Sequence, residues 1–328
     1  MKKSFLFILS LFMGQTTAVY AQSPQINIYS FRKYELIKPV LTQFEAESGI
    51  KVNLVNGKSK RLLARLKQDG EASQADVILS SDLAQLHNHK DLLQPIERRA
   101  TWQNIANELY DENGYWVSIS MRTRALFSLT EKASLAIPKT FAKLDQTEYQ
   151  SSLCIRDWQH NYNATLTAAL LTTNNRKDSD WLKLGNKLLA KRPSGGDRDQ
   201  LRALAKGHCK LAFANHYYWH MMKRADNKRD QMLAKKLSIH FLQTEDGLTP
   251  VSTTTAAIAK HAPNKQNAEK FIAFLLTQKA QAIYAQSLHE FPVLNDMMAS
   301  HVPFKPNLPA IKQGLLRLAD ANKLLAEH

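Results

Sequence analysis

Gln25-Ile26-Asn27-Ile28-Tyr29-Ser30, then Leu36, Ile37, Val40, Leu41 and Phe44 at helical spacing, then Lys51-Val52-Asn53-Leu54-Val55, form the stretch on which the fold turns. Apolar residues cluster in the outer two segments and recur every three or four positions between them, so the order reads strand, helix, strand. A second helical face, Leu62, Leu63 and Leu66, leads to Ala75-Asp76-Val77-Ile78-Leu79, which has the continuous apolar character of a strand buried on both sides. The opening is therefore βαβαβ, and helical crossovers of this kind imply a parallel sheet. Such sheets bind ligands at the carboxyl ends of their strands. Here those ends are Tyr29 to Tyr34 and Ser80 to Asp82.

Upstream of this stretch, Lys2 and Lys3 precede an apolar run from Phe5 to Met13, and Val19-Tyr20-Ala21 supplies small residues at a cleavage point. That pattern is a secretory signal over residues 1–21, with a freely diffusing periplasmic chain expected after cleavage. The apolar run is about half of the roughly 20 residues that a spanning helix needs, so the chain is not expected to be membrane-integrated. The formal charge of +15, from 44 Lys and Arg against 29 Asp and Glu, would suggest nucleic acid inside a cell. Export removes that partner, and basic residues scattered along the chain point to small anions or simply to a solubilising surface. Cys154 and Cys209 are the two cysteines, and an even count in an oxidising compartment predicts a disulfide.

Downstream, a second strand and helix series begins near Val117, runs through Leu153-Cys154-Ile155, the helical Ala164 to Leu171 and Leu211 to Ala214, and ends near Leu242. Val251 to Ile258 reads as a strand, followed by helical spacing over Ala268 to Leu276 and Gln278 to Ala285. At 328 residues the chain suits two lobes of about 150 residues each. Crossing strands near Val117 to Ser120 and Leu248 to Thr253 are expected to join them. This gives a first lobe of 22–118 plus about 248–293, and a second of about 119–247 plus 294–328. The tail from Pro309 to Leu325 spaces Ile311, Leu315, Leu318 and Leu325 as one amphipathic helix.

Asn215-His216-Tyr217-Tyr218-Trp219 follows a predicted buried strand and sets two adjacent phenols at its end. Such a run also fits core packing. Its company is Tyr34, in Tyr29-Ser30-Phe31-Arg32-Lys33-Tyr34, and Tyr162, in Asn161-Tyr162-Asn163. With these features the sequence resembles the periplasmic ferric-ion-binding proteins of bacterial iron uptake, within the two-lobed solute-binding superfamily. Further markers are Lys51 to Val55 with Gly57-Lys58, Ala75-Asp76-Val77 leading to Asp82, Arg122-Thr123-Arg124, Pro193-Ser194-Gly195-Gly196-Asp197 and Gly207-His208-Cys209. Lys260 to Lys265 and Glu290-Phe291-Pro292-Val293 complete the series.

The resemblance implies an α/β periplasmic-binding-protein fold, each lobe a mostly parallel sheet flanked by helices, with the ligand cleft between the lobes. It implies Tyr34, Tyr162, Tyr217 and Tyr218 as ligands to Fe(III), in a monomer that passes its cargo to the permease of an inner-membrane ABC transporter. The chemistry agrees, because a small trivalent cation prefers hard anionic oxygen. Arg32, Lys33, Arg122, Arg124 and Arg156 could hold carbonate or a similar anion in the outer shell, and each also fits an ordinary ion pair. Two features depart from the family pattern: Lys33 stands where many relatives carry His, and Thr249 to Thr255 replaces a different stretch. The threonines receive no role here.

No enzyme constellation stands beside this reading. The sequence lacks a phosphate loop and an HExxH helix, and the pairs His87/His89 and His216/His220 have no adjoining glutamate base. A binder of an organic or inorganic anion, such as chelated iron or a phosphonate, is the rival within the same fold. A periplasmic metal-dependent hydrolase or sensor module is the rival from another class.

Overall fold

The computed structural model describes residues 24–97, 100–131 and 135–328, and the expected signal segment lies outside them. In chain order the strands are β1 (Gln25–Ser30), β2 (Lys51–Asn56), β3 (Val77–Ser80), β4 (Leu93–Gln94), β5 (Val117–Arg122) and β6 (Arg124–Leu129). They continue as β7 (Leu153–Cys154), β8 (Leu211–Asn215), β9 (Leu237–His240), β10 (Thr249–Pro250), β11 (Ser252–Ala259) and β12 (Pro306–Asn307). One sheet has the order β2-β1-β3-β11-β4 with β5 also paired to β11, a second has β7-β8-β6-β9, and β10 pairs β12. The protein is thus a two-lobed α/β fold. No described helix is long and apolar enough to cross a membrane.

The βαβαβ opening forms as its periodicity dictates. The helix Lys38–Ser48 starts with Pro39 in its first turn, buries Val40, Leu41 and Phe44, and stops at Gly49, whose φ of 68° is costly for a residue with a Cβ. The helix Ser59–Asp69 buries Leu62, Leu63 and Leu66. Both pack on a sheet in which β1 lies parallel to β2 and β3.

The expectation of mostly parallel sheets holds for that run and gives way at the strands that link the lobes. β11 is antiparallel to β3, β4 and β5, and β6 is antiparallel to β8 and β9. A strand arriving from the other lobe enters its sheet at the cleft edge, where its neighbours end, so it must run the opposite way. The chain changes sheets at Thr123, past the expected crossing at Val117 to Ser120, because all six residues of β5 are buried in the first sheet. Thr123 Oγ1 donates to Pro250 O at 2.8 Å and ties the outgoing strand to the returning one.

The tail is two helices, Pro309–Leu315 and Leu318–Ala326. Ile311 is buried in the first lobe's core and Leu325 in the second's, and one straight helix cannot serve both. Met297, Met298, Val302, Phe304, Leu308 and Leu315 also pack on the first core, while Gly314 lies against Ala168 and Ala169 of the second lobe, so the segment after Leu294 bears on both lobes.

In the second lobe the strands alternate faces. Ala125, Phe127, Ala212 and Ala214 join one core cluster, while Leu126, Leu211 and Phe213 join another. Cys154 of β7 is bonded to Cys209 just before β8, with Cα atoms 5.8 Å apart. Closing a loop with a sequence separation of 55 restrains the unfolded chain by about 4 kcal/mol. Changing both cysteines to Ala is therefore expected to lower the unfolding free energy in urea by about that amount. An unchanged urea midpoint would show that the bridge carries no stability.

Candidate metal centre

β7 and β8 are parallel neighbours, so the segments after them emerge at the same edge of the second sheet. Arg156 and Tyr162 follow β7, and Tyr217 and Tyr218 follow β8. Arg124, first residue of β6, pairs in register with Asn215, the last of β8, so the lobe connection opens at that edge too. Facing it are the carboxyl ends of β1, β3 and β5, carrying Arg32, Lys33, Ser81 and Arg122. These residues and the three tyrosines line a cavity of about 360 Å³ between the lobes.

Within it the Tyr162 and Tyr217 hydroxyls are 3.4 Å apart, and the Tyr217 and Tyr218 rings lie 4.4 Å apart by centroid. Tyr217 is 2 % exposed and Tyr218 9 %. Burial raises the Tyr217 phenol well above its ordinary value of 10, Tyr162 and Tyr218 add to the rise, and Arg122 opposes it. Burial, then Tyr162, raises Tyr218 as well. Three acidic oxygens this close cannot all ionise unless a multivalent cation displaces their protons.

The surrounding charges are fixed by buried carboxylates. Glu290 accepts from Arg32 Nη1 at 2.9 Å and Nη2 at 2.5 Å, from Thr254 at 3.2 Å, and from Ser120. Asp82 accepts from Arg122 Nη2 at 3.0 Å. Asp197 alone serves two arginines, Arg124 Nη1 at 2.9 Å and Arg156 Nη1 at 3.3 Å, and also the backbone N–H of Asn215 at 2.8 Å. The Arg122 and Arg156 guanidinium groups lie 5.4 and 5.1 Å from the Tyr162 ring centroid. Burial, Arg156 and Arg124 hold His160 down at about 4, so its ring is neutral near pH 7. Its Nδ1 accepts from Tyr162 N–H at 3.2 Å, capping the helix Asn161–Leu170. The ring proton then sits on Nε2, which makes that nitrogen a donor rather than a metal ligand.

Of the four tyrosines implied by resemblance, the structure brings Tyr162, Tyr217 and Tyr218 together and leaves Tyr34 apart. Tyr34 is 45 % exposed, with Lys38 Nζ 5.9 Å from its ring centroid. The 3₁₀ turn Tyr34–Leu36 turns Leu36 inward instead, and Leu36 packs with Tyr217 and Tyr218 in the second lobe's apolar cluster. Lys33 lines the cavity, as do Arg32, Arg122 and Arg156, while Arg124 reaches it through Asp197. Sequence reasoning gave no role to Thr254, Glu290, Asp197 or His160. The available signal at Glu290 was a charged residue before the apolar Phe291-Pro292-Val293, and at Asp197 an acidic residue opening a helix after Gly195-Gly196.

Two sheets joined by paired crossing strands, with polar side chains converging in the cleft between them, define a solute-binding protein. Residues 72–314 match the bacterial extracellular solute-binding protein family, and the chain belongs to it. Iron uptake protein A1 of Synechocystis sp. is 31% identical over 314 residues, covering 93% of this chain and 87% of that protein. The structure of apo ferric ion-binding protein A of Pasteurella haemolytica has 32% identity and a TM-score of 0.84, covering 93% of this chain and 98% of that one. A Trichodesmium protein in complex with iron and citrate ligands has 30% identity and a TM-score of 0.82, covering 92% and 98%.

Proposed function

We propose that the chain is a periplasmic ferric-ion-binding protein that captures Fe(III) through Tyr162, Tyr217 and Tyr218 and hands it to an inner-membrane ABC transporter, with no catalytic step. The convergence of two buried phenols, Tyr217 and Tyr218, and the partly buried Tyr162 among arginines carries this reading. It is supported by relatives named for iron uptake and ferric iron binding. Phenolate oxygen suits a hard trivalent cation, and release then requires opening of the lobes, reduction of the ion or protonation of the phenolates. Tyr34 as a fourth ligand would require the 3₁₀ turn to swing and Leu36 to leave the apolar cluster, so we assign the ion to the other three.

Charge balance supports an accompanying anion. Three phenolates neutralise Fe(III), the Arg32–Glu290 and Arg122–Asp82 pairs cancel, and Arg124 with Arg156 exceeds Asp197 by one positive charge. The Nε groups of Arg122, Arg124 and Arg156 are buried without a hydrogen-bond partner. Carbonate or the carboxylates of a chelator would meet the Arg32, Lys33, Arg122 and Arg156 side chains that line the cavity, and a cavity of about 360 Å³ holds more than one ion. Titrating the protein with Fe(III) in the presence of bicarbonate or of citrate, while following visible absorption, tests both the ion and the anion. No uptake with either would sink the proposal.

Lys33 is the cation that the first lobe adds to this cavity in place of a family histidine. Lys33→Met keeps the stem and removes the charge, which makes the phenolates easier to protonate. Iron binding is expected to weaken and the acid-release midpoint to move to higher pH. A midpoint identical to that of the parent would place this side chain outside the ion's field.

A further inference from the structure

The interlobe contacts differ in kind. Arg224 Nη1 donates to Gln286 O at 2.9 Å in an exposed setting, and Leu36 contributes apolar packing. Thr165 makes the contact that touches the charged network: its Oγ1 donates to Asp82 Oδ1 at 3.1 Å. Thr165 lies one turn beyond Tyr162 on the helix Asn161–Leu170 of the second lobe, and Asp82 follows β3 of the first. The other carboxylate oxygen of Asp82 receives Arg122 Nη2 at 3.0 Å, and Arg122 Nη1 is held by Thr254 at 3.1 Å. Asp82 is 1 % exposed and Arg122 1 %.

Asp82, Arg122 and Thr254 all belong to the first lobe, at the ends of β3 and β5 and within β11. If the lobes part, these three stay together, because none of their mutual bonds crosses the cleft. The Thr165 bond does cross it and must break. Tyr162 leaves with its helix, and the Arg122 guanidinium, now 5.4 Å from the Tyr162 ring centroid, is left behind. Among these contacts, the Thr165 hydrogen bond to a buried carboxylate is the one whose loss takes a cation from beside the phenols.

We propose that Thr165 and Asp82 form a latch between the lobes that holds Arg122 against the Tyr162 and Tyr217 phenols, making both residues positioning groups that set how fast the cargo leaves. The release half of this statement rests on the ferric reading above, and the closure half does not. A hydroxyl donating to a carboxylate is among the stronger neutral-to-charged hydrogen bonds, so its loss is expected to accelerate opening roughly tenfold or more.

The test uses the full mature chain with Thr165→Val and Thr165→Ala, which remove the donor, and Thr165→Ser, which restores it. Small-angle scattering of the metal-free protein reads closure. Transfer of Fe(III) to excess EDTA, followed by loss of visible absorption, reads release. Both donor-less variants are expected to show a larger radius of gyration and release faster by roughly tenfold, with the absorption maximum unmoved, and Thr165→Ser to behave as the parent. A merely structural role would lower thermal stability without changing radius or release. Parental radius and release in either donor-less variant that folds would overturn the latch. A chain that takes up no Fe(III) still reports closure by scattering, so failure of the ferric reading and failure of the latch give different results.

Discussion

Protein loaded with Fe(III) at neutral pH is expected to be coloured, through charge transfer from tyrosinate to iron, and Tyr217→Phe combined with Tyr218→Phe to abolish that visible band. The substitution removes two of three converging oxygens and nothing else. Both side chains are buried, and replacing the pair by apolar rings of the same shape leaves only the part-buried Tyr162 hydroxyl without its Tyr217 partner, so it costs little stability. Loss of an outer-shell partner alone weakens metal sites by about 10- to 100-fold, so loss of two ligands is expected to weaken binding by more than about 100-fold. Visible titration with Fe(III), paired with thermal unfolding to show that the variant is folded, makes the measurement. A parent protein that takes up iron without colour, or a double variant that keeps the band, would remove the phenols from the site.

What was legible in the sequence follows from the range of the interactions involved. The β1 to β3 opening rests on periodicity within windows of a few residues, and Ile28, Val40, Phe44 and Val77 are all buried where that periodicity puts them. Tyr217 and Tyr218 were legible as strand-end residues because they directly follow β8, whereas Tyr162, eight residues past β7 on the helix Asn161–Leu170, entered through the resemblance. Tyr34 was also legible at a strand end, but whether it or Leu36 faces the cleft is decided by the rotation of a single 3₁₀ turn. The carboxylates that hold the arginines were hidden for another reason. Arg32 and Glu290 are separated by 258 positions, and Arg124 and Asp197 by 73, so neither partner announces the other locally. The threonines after Pro250 looked like a departure from a family pattern. Thr254 in fact bridges Arg32, Arg122 and Glu290, and a short hydroxyl on a buried strand is a suitable group for the narrow space between two guanidinium groups.

Glu290→Gln is expected to destabilise the protein at neutral pH by about 3 kcal/mol and to lose that effect in acid. Burial works against charge on the Glu290 carboxyl, but the Arg32 guanidinium, helped by Arg122 and Ser120, outweighs it and holds the group down at about 2 from an ordinary value of 4.5. A carboxyl depressed on folding adds stability that is fully present above its unfolded value and disappears as pH falls through its folded one. The parent should therefore lose stability between about pH 5 and pH 2 by this route. The glutamine variant lacks the charge, leaves Arg32 buried without its counterion, and should show a flatter acid limb, the two curves converging near pH 2. Urea unfolding of parent and variant across that range reads the difference directly. A difference that stays constant with pH would mean that lost packing, not lost charge, is the cause. The same substitution removes a negative charge that helps to raise the Tyr217 phenol. Its acid release of Fe(III) should accordingly move to lower pH, opposite to Lys33→Met, which separates an electrostatic effect on the phenols from general damage to the cleft.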